Sequence, residues 1–353
     1  MTATALTAVR MPRAPRPGWR AVARVLWLES RATIVALGTL LVAFALAVVL
    51  TEHAVASAFH TYVSAGCLRQ PFKPECVTTS SLSQQTVVSA LRIAAGSFPV
   101  VAGMFLGAPL LAREYESGTF RFTWTQAIGR RRLVLCSLVL IAVAAMLVGI
   151  VLGVLIDWVD HPFQVVGVTS QWQAGTFDDA PVLLGAWSAF GCVVGVGLGA
   201  LVRRVVAAIA AVTAVLGALM IGATIALVHW LLAIGPLVRS HLVPITNAGT
   251  LNEPSPRGQL FPGAWFVRAW YVGPHGHVLT SNEVLTLEEH MFSKGTSQRE
   301  TLRYLAAHHI TYFLAYQPQS RFWLFQLASI AILLVASAAL AWGILWLVRR
   351  SAG

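Results

Sequence analysis

Six stretches of apolar, uncharged residues recur along the chain and are separated by polar segments. Each stretch contains 19 to 27 residues. Because an α-helix rises about 1.5 Å per residue, roughly 20 residues are enough to cross a hydrocarbon core about 30 Å thick. The pattern therefore predicts six membrane-spanning helices, numbered here as spans one to six: residues 32–51, 93–111, 133–156, 181–202, 205–228 and 322–348.

The segment before the first span, residues 19–31, shows a different pattern. At 100° per residue, its apolar side chains share one face and its arginines share the opposite face. This arrangement is typical of a helix that lies along the inner membrane surface, and we predict that it continues into span one. The alternative is a simple extension of span one. The apolar face contains Trp19, Val22, Val25 and Leu26, and the basic face contains Arg20, Arg24 and Arg31.

The polar segments divide the chain into four parts. Residues 1–31 form an inner tail with the interfacial helix, and residues 32–228 contain spans one to five. Residues 229–321 form a large outer segment, which we expect to be a small folded element or a functional cap, with a helix over 297–310. Residues 322–353 contain span six and an inner tail. The predicted fold class is an all-α polytopic membrane protein with six transmembrane helices, an N-terminal interfacial helix and a large outer loop between helices five and six.

Composition also indicates a membrane protein. Hydrophobic residues make up 57% of the 353 residues and the mean hydropathy is +0.70, whereas soluble chains are nearer 45 to 50% apolar. If the N-terminus is inside, 15 of the 25 basic residues lie on short inner segments. This is the positive-inside bias, so both termini are predicted to be cytoplasmic in the cell membrane. The positive charge then indicates contact with anionic lipid and not with nucleic acid.

Several catalytic signatures are absent from the sequence. It contains no GxxxxGK[ST] loop, and its two lysines, Lys73 and Lys294, are not part of one. It contains neither HExxH nor GxSxG, so we do not expect the chain to be an enzyme or to hold a metal or cofactor itself. The histidines of the outer segment match no familiar ligand spacing and are interpreted as surface residues: His241, His275, His277, His290, His308 and His309.

The six uncharged runs also bear on the source of energy. Ion-coupled transporters usually carry a charged or titrating group at mid-membrane depth, and these runs contain none. Arg92 lies just before span two and is interpreted as an anchor at the outer membrane surface. Asp157, Asp160 and His161 follow span three and suit a plain outer turn. Coupling to an ion gradient is therefore not favoured.

Two cysteines, Cys67 and Cys76, lie close together in the outer loop between spans one and two. On the outer side of a membrane we expect a disulfide between them, and two free thiols are the alternative. Cys136 and Cys192 lie within predicted spans and are interpreted as packing residues.

Two further patterns concern packing in the membrane. Span four carries Gly191, Gly195 and Gly199 at intervals of four residues, so one face permits close approach of a second helix, which the sequence does not identify. At the entry to span six, aromatic residues suit the belt at the outer membrane interface. These aromatic residues are Tyr316, Phe322 and Trp323.

The most polar inner segment is residues 112–132, which read AREYESGTFRFTWTQAIGRRR. Aromatic residues surrounded by charges, with no bilayer depth available to them, suit a contact with another protein. A solvated loop whose aromatic residues touch lipid headgroups is the alternative. Glu114 and Glu116 are expected to hold the segment through charge-assisted hydrogen bonds to Arg113, Arg121 or a partner protein. The aromatic residues are Phe120, Phe122 and Trp124.

In the context of six spans, this segment resembles the coupling segment of type-2 permease subunits of ATP-binding cassette exporters, and it looks closest to the actinobacterial branch. That class typically shows Glu-x-Glu-x-Gly-Thr after span two, then a short coupling segment and basic residues before span three. The interfacial helix and the entry to span six are also similar, whereas the outer segment is longer than in the simplest members. By this resemblance, partner coupling is predicted for Glu114, Glu116, Gly118, Thr119, Phe120, Arg121, Phe122, Trp124, Gln126 and Arg130.

The resemblance implies a permease subunit of an ATP-driven exporter. A separate ATPase subunit would bind ATP and Mg and dock on the coupling segment, and a second permease subunit, identical or a sister, would complete the path within the lipid bilayer. Two other hypotheses remain open. One is a membrane sensor or scaffold that uses the outer segment as a receptor, and the other is a membrane-embedded enzyme.

Overall fold

A computed structural model describes residues 19–66, 82–116, 130–166, 169–226, 235–241, 264–292 and 304–350. Within these ranges, six helices are long and apolar enough to cross a membrane, which confirms the six predicted spans. The terms inner and outer follow the orientation predicted from the arginines. Five spans are single helices: span one is Trp19–Ser64, span three Arg130–Val166, span four Pro181–Val202, span five Val205–Ala226 and span six Phe322–Arg350.

Span two is built from consecutive helical pieces instead of one regular helix. The pieces are Leu82–Gly96, Phe98–Ala102, a π-helical turn Gly103–Gly107 and Ala108–Glu116. The first interruption precedes a proline in the first turn of the second piece, where the missing proline N–H costs no helical hydrogen bond. The π turn adds one residue to the helical repeat.

Span four lies at the centre of the bundle and contacts spans two, three, five and six. In its most apolar stretch, 83% of the residues are buried inside the protein, whereas the corresponding share is 6% for span one and 11% for span six. A helix that is apolar on every side is stable in this position because neighbouring helices cover it. Spans one and six instead present most of their apolar surface to the outside of the described bundle.

The glycine face of span four packs against span two of the same chain. A Cβ atom on each glycine would collide with a span-two carbonyl oxygen: Gly191 with Pro99, Gly195 with Gly103, and Gly199 with Ala108. The glycines are spaced by four residues, whereas the carbonyl groups are spaced by four and then by five. The π turn supplies the extra residue, so it keeps the two backbones in register along their contact. The close helix contact predicted from the glycines therefore lies within the chain.

The outer segment contains a three-stranded antiparallel sheet that the hydrophobic runs did not predict. Strands β1 (Leu237–His241) and β2 (Trp265–Val272) both pair with the central strand β3 (Thr311–Gln317). A helix, Ser281–Phe292, begins after Thr280, whose backbone N–H and hydroxyl both donate to the Glu283 carboxylate. The core between sheet and helix contains Tyr271, Tyr312, Leu314, Leu287 and Leu305.

Two expectations about helix ends change. The helix predicted over 297–310 is described only from residue 304, and there it is helical over 304–307 before β3 begins. Span three continues to Val166, so Asp157, Asp160 and His161 lie within a helix and the expected plain outer turn is wrong. Residues 19–31 belong to the unbroken helix Trp19–Ser64, and their position along the membrane surface stays a prediction.

Candidate functional site

The inner end of span two contacts the start of span five. Glu116 Oε2 accepts a hydrogen bond from the backbone N–H of Val205 at 3.0 Å. Val205 is the first residue of span five, and the first N–H groups of a helix have no partner within the helix. The carboxylate therefore caps span five and lies at the positive end of its dipole. The residue that ends span two is thus bonded to the residue that begins span five.

The short turn between spans four and five makes a second contact with span two. Span four ends at Val202 and is capped by Arg203, which has a left-handed backbone with a φ of 59° and donates its N–H to the Gly199 carbonyl oxygen. The Arg203 guanidinium lies 5.4 Å from the centre of the Tyr115 ring, within range of a cation–π contact. Tyr115 and Glu116 therefore both contact the turn that leads into span five.

The structure describes part of the predicted coupling segment. Glu114 and Glu116 lie in the last turn of span two, and Arg130 is the first residue of the span-three helix. The partner found for Glu116 is Val205, which was not among the expected partners. Partner coupling itself stays a prediction. The remaining predicted residues lie outside the described ranges: Gly118, Thr119, Phe120, Arg121, Phe122, Trp124 and Gln126.

The four cysteines fall into two groups. Cys136 and Cys192 are free and buried, which agrees with their interpretation as packing residues. Cys67 and Cys76 lie outside the described residues, so the disulfide stays a prediction.

A second polar site lies at the outer end of the bundle. Arg92 Nη2 of span two is 2.5 Å from Asp160 Oδ1 of span three. Arg92 Nε is 3.6 Å from Oδ2 of Asp179, which follows the short helix Ala174–Asp178, called here the loop helix. The exposed fraction is 1% for Asp160 and 7% for Asp179. One guanidinium therefore faces two buried carboxylates from two different segments.

The second oxygen of Asp160 is also occupied. Asp160 Oδ2 accepts hydrogen bonds from Gln164 Nε2 at 3.1 Å and from Thr169 Oγ1 at 3.2 Å. The contact of its Oδ1 atom with Arg92 is an ion pair by distance. Partners of this kind replace the water that a carboxylate loses on burial.

Asp178, the neighbour of Asp179, connects the loop helix to span five. Its Oδ2 atom accepts a hydrogen bond from Thr224 Oγ1 at 2.7 Å. Burial raises the pKa of Asp178 to about 6, and the Thr224 hydrogen bond opposes that rise. Burial raises the pKa of Asp179 to about 8, while Arg92 acts in the opposite direction and the charges of Asp178 and Asp160 add to the rise.

The loop helix also rests on an aromatic cluster. Trp172 is 1% exposed and packs edge to face on Phe322 at 5.4 Å between ring centres. Gln326 of span six donates a hydrogen bond to the Phe177 carbonyl oxygen at 2.9 Å. The other rings packed on Trp172 belong to Phe177, Trp265 and Phe325.

The aromatic belt predicted at the entry to span six is therefore wrong for two of its three members. Tyr316 and Phe322 are 4% and 9% exposed, because they pack inside the protein. Trp323 is 65% exposed and keeps the position expected of a belt residue.

The expected role of Arg92 is also wrong. The observed spans extend beyond the uncharged runs, so Arg92 falls within span two, at Gln84–Glu116, and Asp160 within span three, at Val134–Val165. The Arg92 side chain is 14% exposed and bound to buried acids, so it is not a surface anchor. Charged residues within spans commonly mark functional sites.

The histidines of the outer segment give no candidate metal site. Among the described residues, no group of three or more histidine, cysteine, aspartate or glutamate side chains is placed to hold a metal ion. His277 Nε2 lies 3.9 Å from Glu283, and both side chains are about half exposed. His308 Nδ1 lies 2.8 Å from the Tyr304 carbonyl oxygen.

Six apolar helices, with the glycine-packed span four at their centre, define a multi-pass membrane protein. A family model described as ABC-2 membrane transporter related matches residues 21–228, more than half of the chain. The chain belongs to this family. No curated protein and no solved structure matches it significantly. The family match confirms the resemblance to type-2 permeases, while the actinobacterial branch stays a prediction.

Proposed function

We propose that this chain is the permease subunit of an ATP-driven exporter, which forms the substrate path with a second permease subunit and is driven by a separate ATPase subunit. The family match and the six spans support the transporter class. The sequence lacks an ATP-binding loop of its own, so the energy has to come from a partner. The observation that carries the coupling proposal is the hydrogen bond between Glu116 and Val205.

This hydrogen bond gives a route by which an ATPase could move the spans. The ATPase would dock on residues 117–129, which follow Glu116 directly. Any displacement of Glu116 also displaces the first turn of span five, because the carboxylate binds the Val205 N–H. In the most apolar stretch of span five, 17% of the residues are buried inside the protein, so most of the surface of this helix does not have to leave a packed interior when the helix tilts. ATP-driven closure would shift the spans between inward- and outward-facing populations.

The aromatic residues Phe120, Phe122 and Trp124 would supply the anchors of the docking contact. Large aromatic residues dominate such interfaces, and truncating one commonly costs about 2 kcal/mol or more. A loss of that size lowers affinity by roughly thirtyfold. Trp124→Ala should therefore release the ATPase subunit while leaving every span unchanged.

The test is co-purification from native membranes. Tagged wild-type chain, Trp124→Ala and a matched control, Trp342→Ala, are solubilised at equal membrane abundance. Trp342 is 71% exposed on span six, far along the chain from the coupling segment. We expect a polypeptide with a GxxxxGK[ST] loop and ATPase activity to accompany the wild type and the control, and to be lost from Trp124→Ala.

Two results would count against this proposal. Equal recovery of the ATPase with Trp124→Ala would make residues 117–129 a solvated loop. Recovery of no ATPase from wild-type membranes would favour the sensor or scaffold hypothesis.

A further inference from the structure

We propose that Arg92, Asp160, Asp178 and Asp179 form an outer clasp, which holds spans two, three and five on the loop helix and takes up a proton when it closes. The clasp rests on the contacts of these residues and not on the proposed function. Its use as the outer gate of an exporter does rest on that function.

The geometry makes the loop helix a point where several spans meet. Arg92 reaches Asp179 from span two and also pairs with Asp160 of span three. Asp178 is bonded to Thr224 of span five. Gln326 of span six binds the Phe177 carbonyl oxygen. The loop helix has five residues, too few for a stable isolated helix, so these contacts hold it in place.

The balance of charge predicts proton uptake. Two carboxylates, Asp160 and Asp179, face one guanidinium in a largely buried site, and the charge of the neighbouring Asp178 also acts on Asp179. If all three carboxylates were ionised, two negative charges would remain without a cation, and an unpaired buried charge is strongly unfavourable. A proton on one carboxylate removes one of these two charges. When the clasp opens and water enters, the proton is released.

The groups that face Asp179 make it the preferred proton site. Arg92 approaches it from span two, and the charges of Asp160 and Asp178 act on it from span three and from the loop helix. Span five contributes Thr224, which does not titrate and binds Asp178. Asp157 and His161 of span three are exposed. Burial raises the pKa of Asp179 to about 8 in this closed arrangement.

The sign of the pH effect follows from linkage. A solvated aspartate has a pKa of about 3.9, so the closed form binds more protons than the open form between about pH 4 and about pH 8. Stabilisation of the closed form is complete below this window and is lost as the pH rises through it. With the predicted orientation, acid outside the cell keeps the clasp closed.

The experiment measures hydrogen exchange in the full chain, purified into lipid nanodiscs, at about pH 6 and about pH 8.5. The readout is the protection of the Phe177, Asp179 and Ala180 amides, which bond to carbonyl groups of residues 173, 175 and 177. Amides of β3 serve as the reference for the intrinsic rate. We expect wild-type protection to fall by roughly tenfold or more at the higher pH, since one proton changes the equilibrium by up to tenfold per pH unit.

Two variants separate a proton site from a purely structural contact. Asp179→Asn imitates the protonated carboxyl group, so protection should stay high at both pH values. The matched control, Asp157→Asn, removes an exposed carboxylate from span three and should behave as the wild type. Asp160→Asn removes one of the charges that raise the pKa of Asp179, so its protection should be lost at a lower pH than in the wild type. If that variant does not fold, Thr224→Val, with Thr224→Ser as its control, removes the hydrogen bond between Asp178 and span five and should lower protection at both pH values.

Equal wild-type protection at both pH values would overturn the clasp, as would a pH response that survives in Asp179→Asn. The measurement needs neither ATP nor an ATPase. A failure here therefore leaves the coupling proposal intact, and failure to recover an ATPase leaves the clasp intact.

Discussion

The two ends of the span bundle are stabilised in different ways. At the outer end, buried acids, Arg92 and the rings packed on Trp172 connect the loop helix to several spans. At the inner end, Glu116 and Tyr115 make two contacts with the turn into span five, and the Glu116 hydrogen bond is exposed. An exposed hydrogen bond contributes about 1 kcal/mol, whereas burying one large aromatic side chain contributes several times that.

This difference indicates where the molecule can move at low energetic cost. At the inner end, on which the proposed ATPase would act, the contacts of Glu116 and Tyr115 with the turn into span five are weak, so this turn can respond to a docking partner. The outer end is held by buried groups that have to separate together. Between the ends, the backbones of spans two and four touch along the glycine face, so a movement at one end is passed on by a nearly rigid helix pair.

The largest effect is expected from breaking that rigid pair with Gly195→Leu. A Cβ atom at this position already collides with the Gly103 carbonyl oxygen and lies 3.0 Å from the Ala108 nitrogen. Because the obstacle is backbone, the helices have to separate, and we expect a loss of at least about 3 kcal/mol in stability or no folded protein. The measurement is the yield of monodisperse protein and its thermal midpoint in detergent.

The control for this variant is Gly217→Leu in span five, where a Cβ atom would meet nothing within 4 Å. Its midpoint should stay close to that of the wild type. Similar midpoints for Gly195→Leu and Gly217→Leu would show that the glycine contact does not hold the bundle together.

A smaller but still large effect is expected at the outer end from Trp172→Ala. Trp172 is 1% exposed, and replacing a buried aromatic residue by alanine typically costs about 3 to 5 kcal/mol. The loop helix should lose hydrogen-exchange protection together with the fall in thermal midpoint. Trp158→Ala is the control, since Trp158 is 47% exposed. A midpoint for Trp172→Ala as high as that of the control would mean that the aromatic cluster contributes little.

Comparison of the sequence predictions with the structure separates local from long-range information. The six spans follow from the length of apolar runs, and the glycine face of span four follows from spacing within one helix. Both can therefore be predicted from residues that are close together in the sequence. The partner of Arg92 is different, because Asp160 and Asp179 lie far away in sequence. The sequence nevertheless indicates that such a partner is needed. Residues 157–180 include several acids but no lysine or arginine, so an acid buried there needs a cation from another segment.

The sheet of the outer segment could also be predicted in part from the sequence. The strands Trp265–Val272 and Thr311–Gln317 consist largely of aromatic and β-branched residues, which are enriched in strands. The contact between Glu116 and Val205 had no local signal, because 89 residues separate the two. The π turn in span two also had no local signal, because it is needed only to keep the span-two carbonyl groups in register with the glycines of span four.

At the inner end, a moderate effect is expected from Glu116→Ala. The substitution removes the acceptor of the Val205 N–H and should cost about 1 kcal/mol, since the hydrogen bond is exposed to solvent. Exchange of the first-turn amides of span five should rise by roughly fivefold. Glu116→Gln is the matched variant, because it keeps an acceptor oxygen without the charge, and its exchange should lie between those of the wild type and Glu116→Ala. Unchanged exchange in Glu116→Ala would mean that this hydrogen bond does not couple span five to span two.

The smallest effect is expected from Arg203→Gly, because two contributions oppose each other. The left-handed backbone of Arg203, with a φ of 59°, is unfavourable for a residue with a Cβ atom, and glycine relieves roughly 1 kcal/mol of that strain. The same substitution removes the cation–π contact with Tyr115, which at an exposed site contributes about 0.5 to 1 kcal/mol. The net change in the free energy of unfolding should therefore be close to zero.

Arg203→Ala separates these two contributions, because it loses the same charge and the same contact but keeps the strained backbone. It should be less stable than Arg203→Gly by about 1 kcal/mol, which the thermal midpoints of the two proteins can resolve. A midpoint for Arg203→Ala equal to that of Arg203→Gly would mean that the turn relaxes when Arg203 is lost. The short connection between spans four and five would then be flexible in its own right, and of the two contacts made by Tyr115 and Glu116 only the Glu116 hydrogen bond would connect span five to the coupling segment.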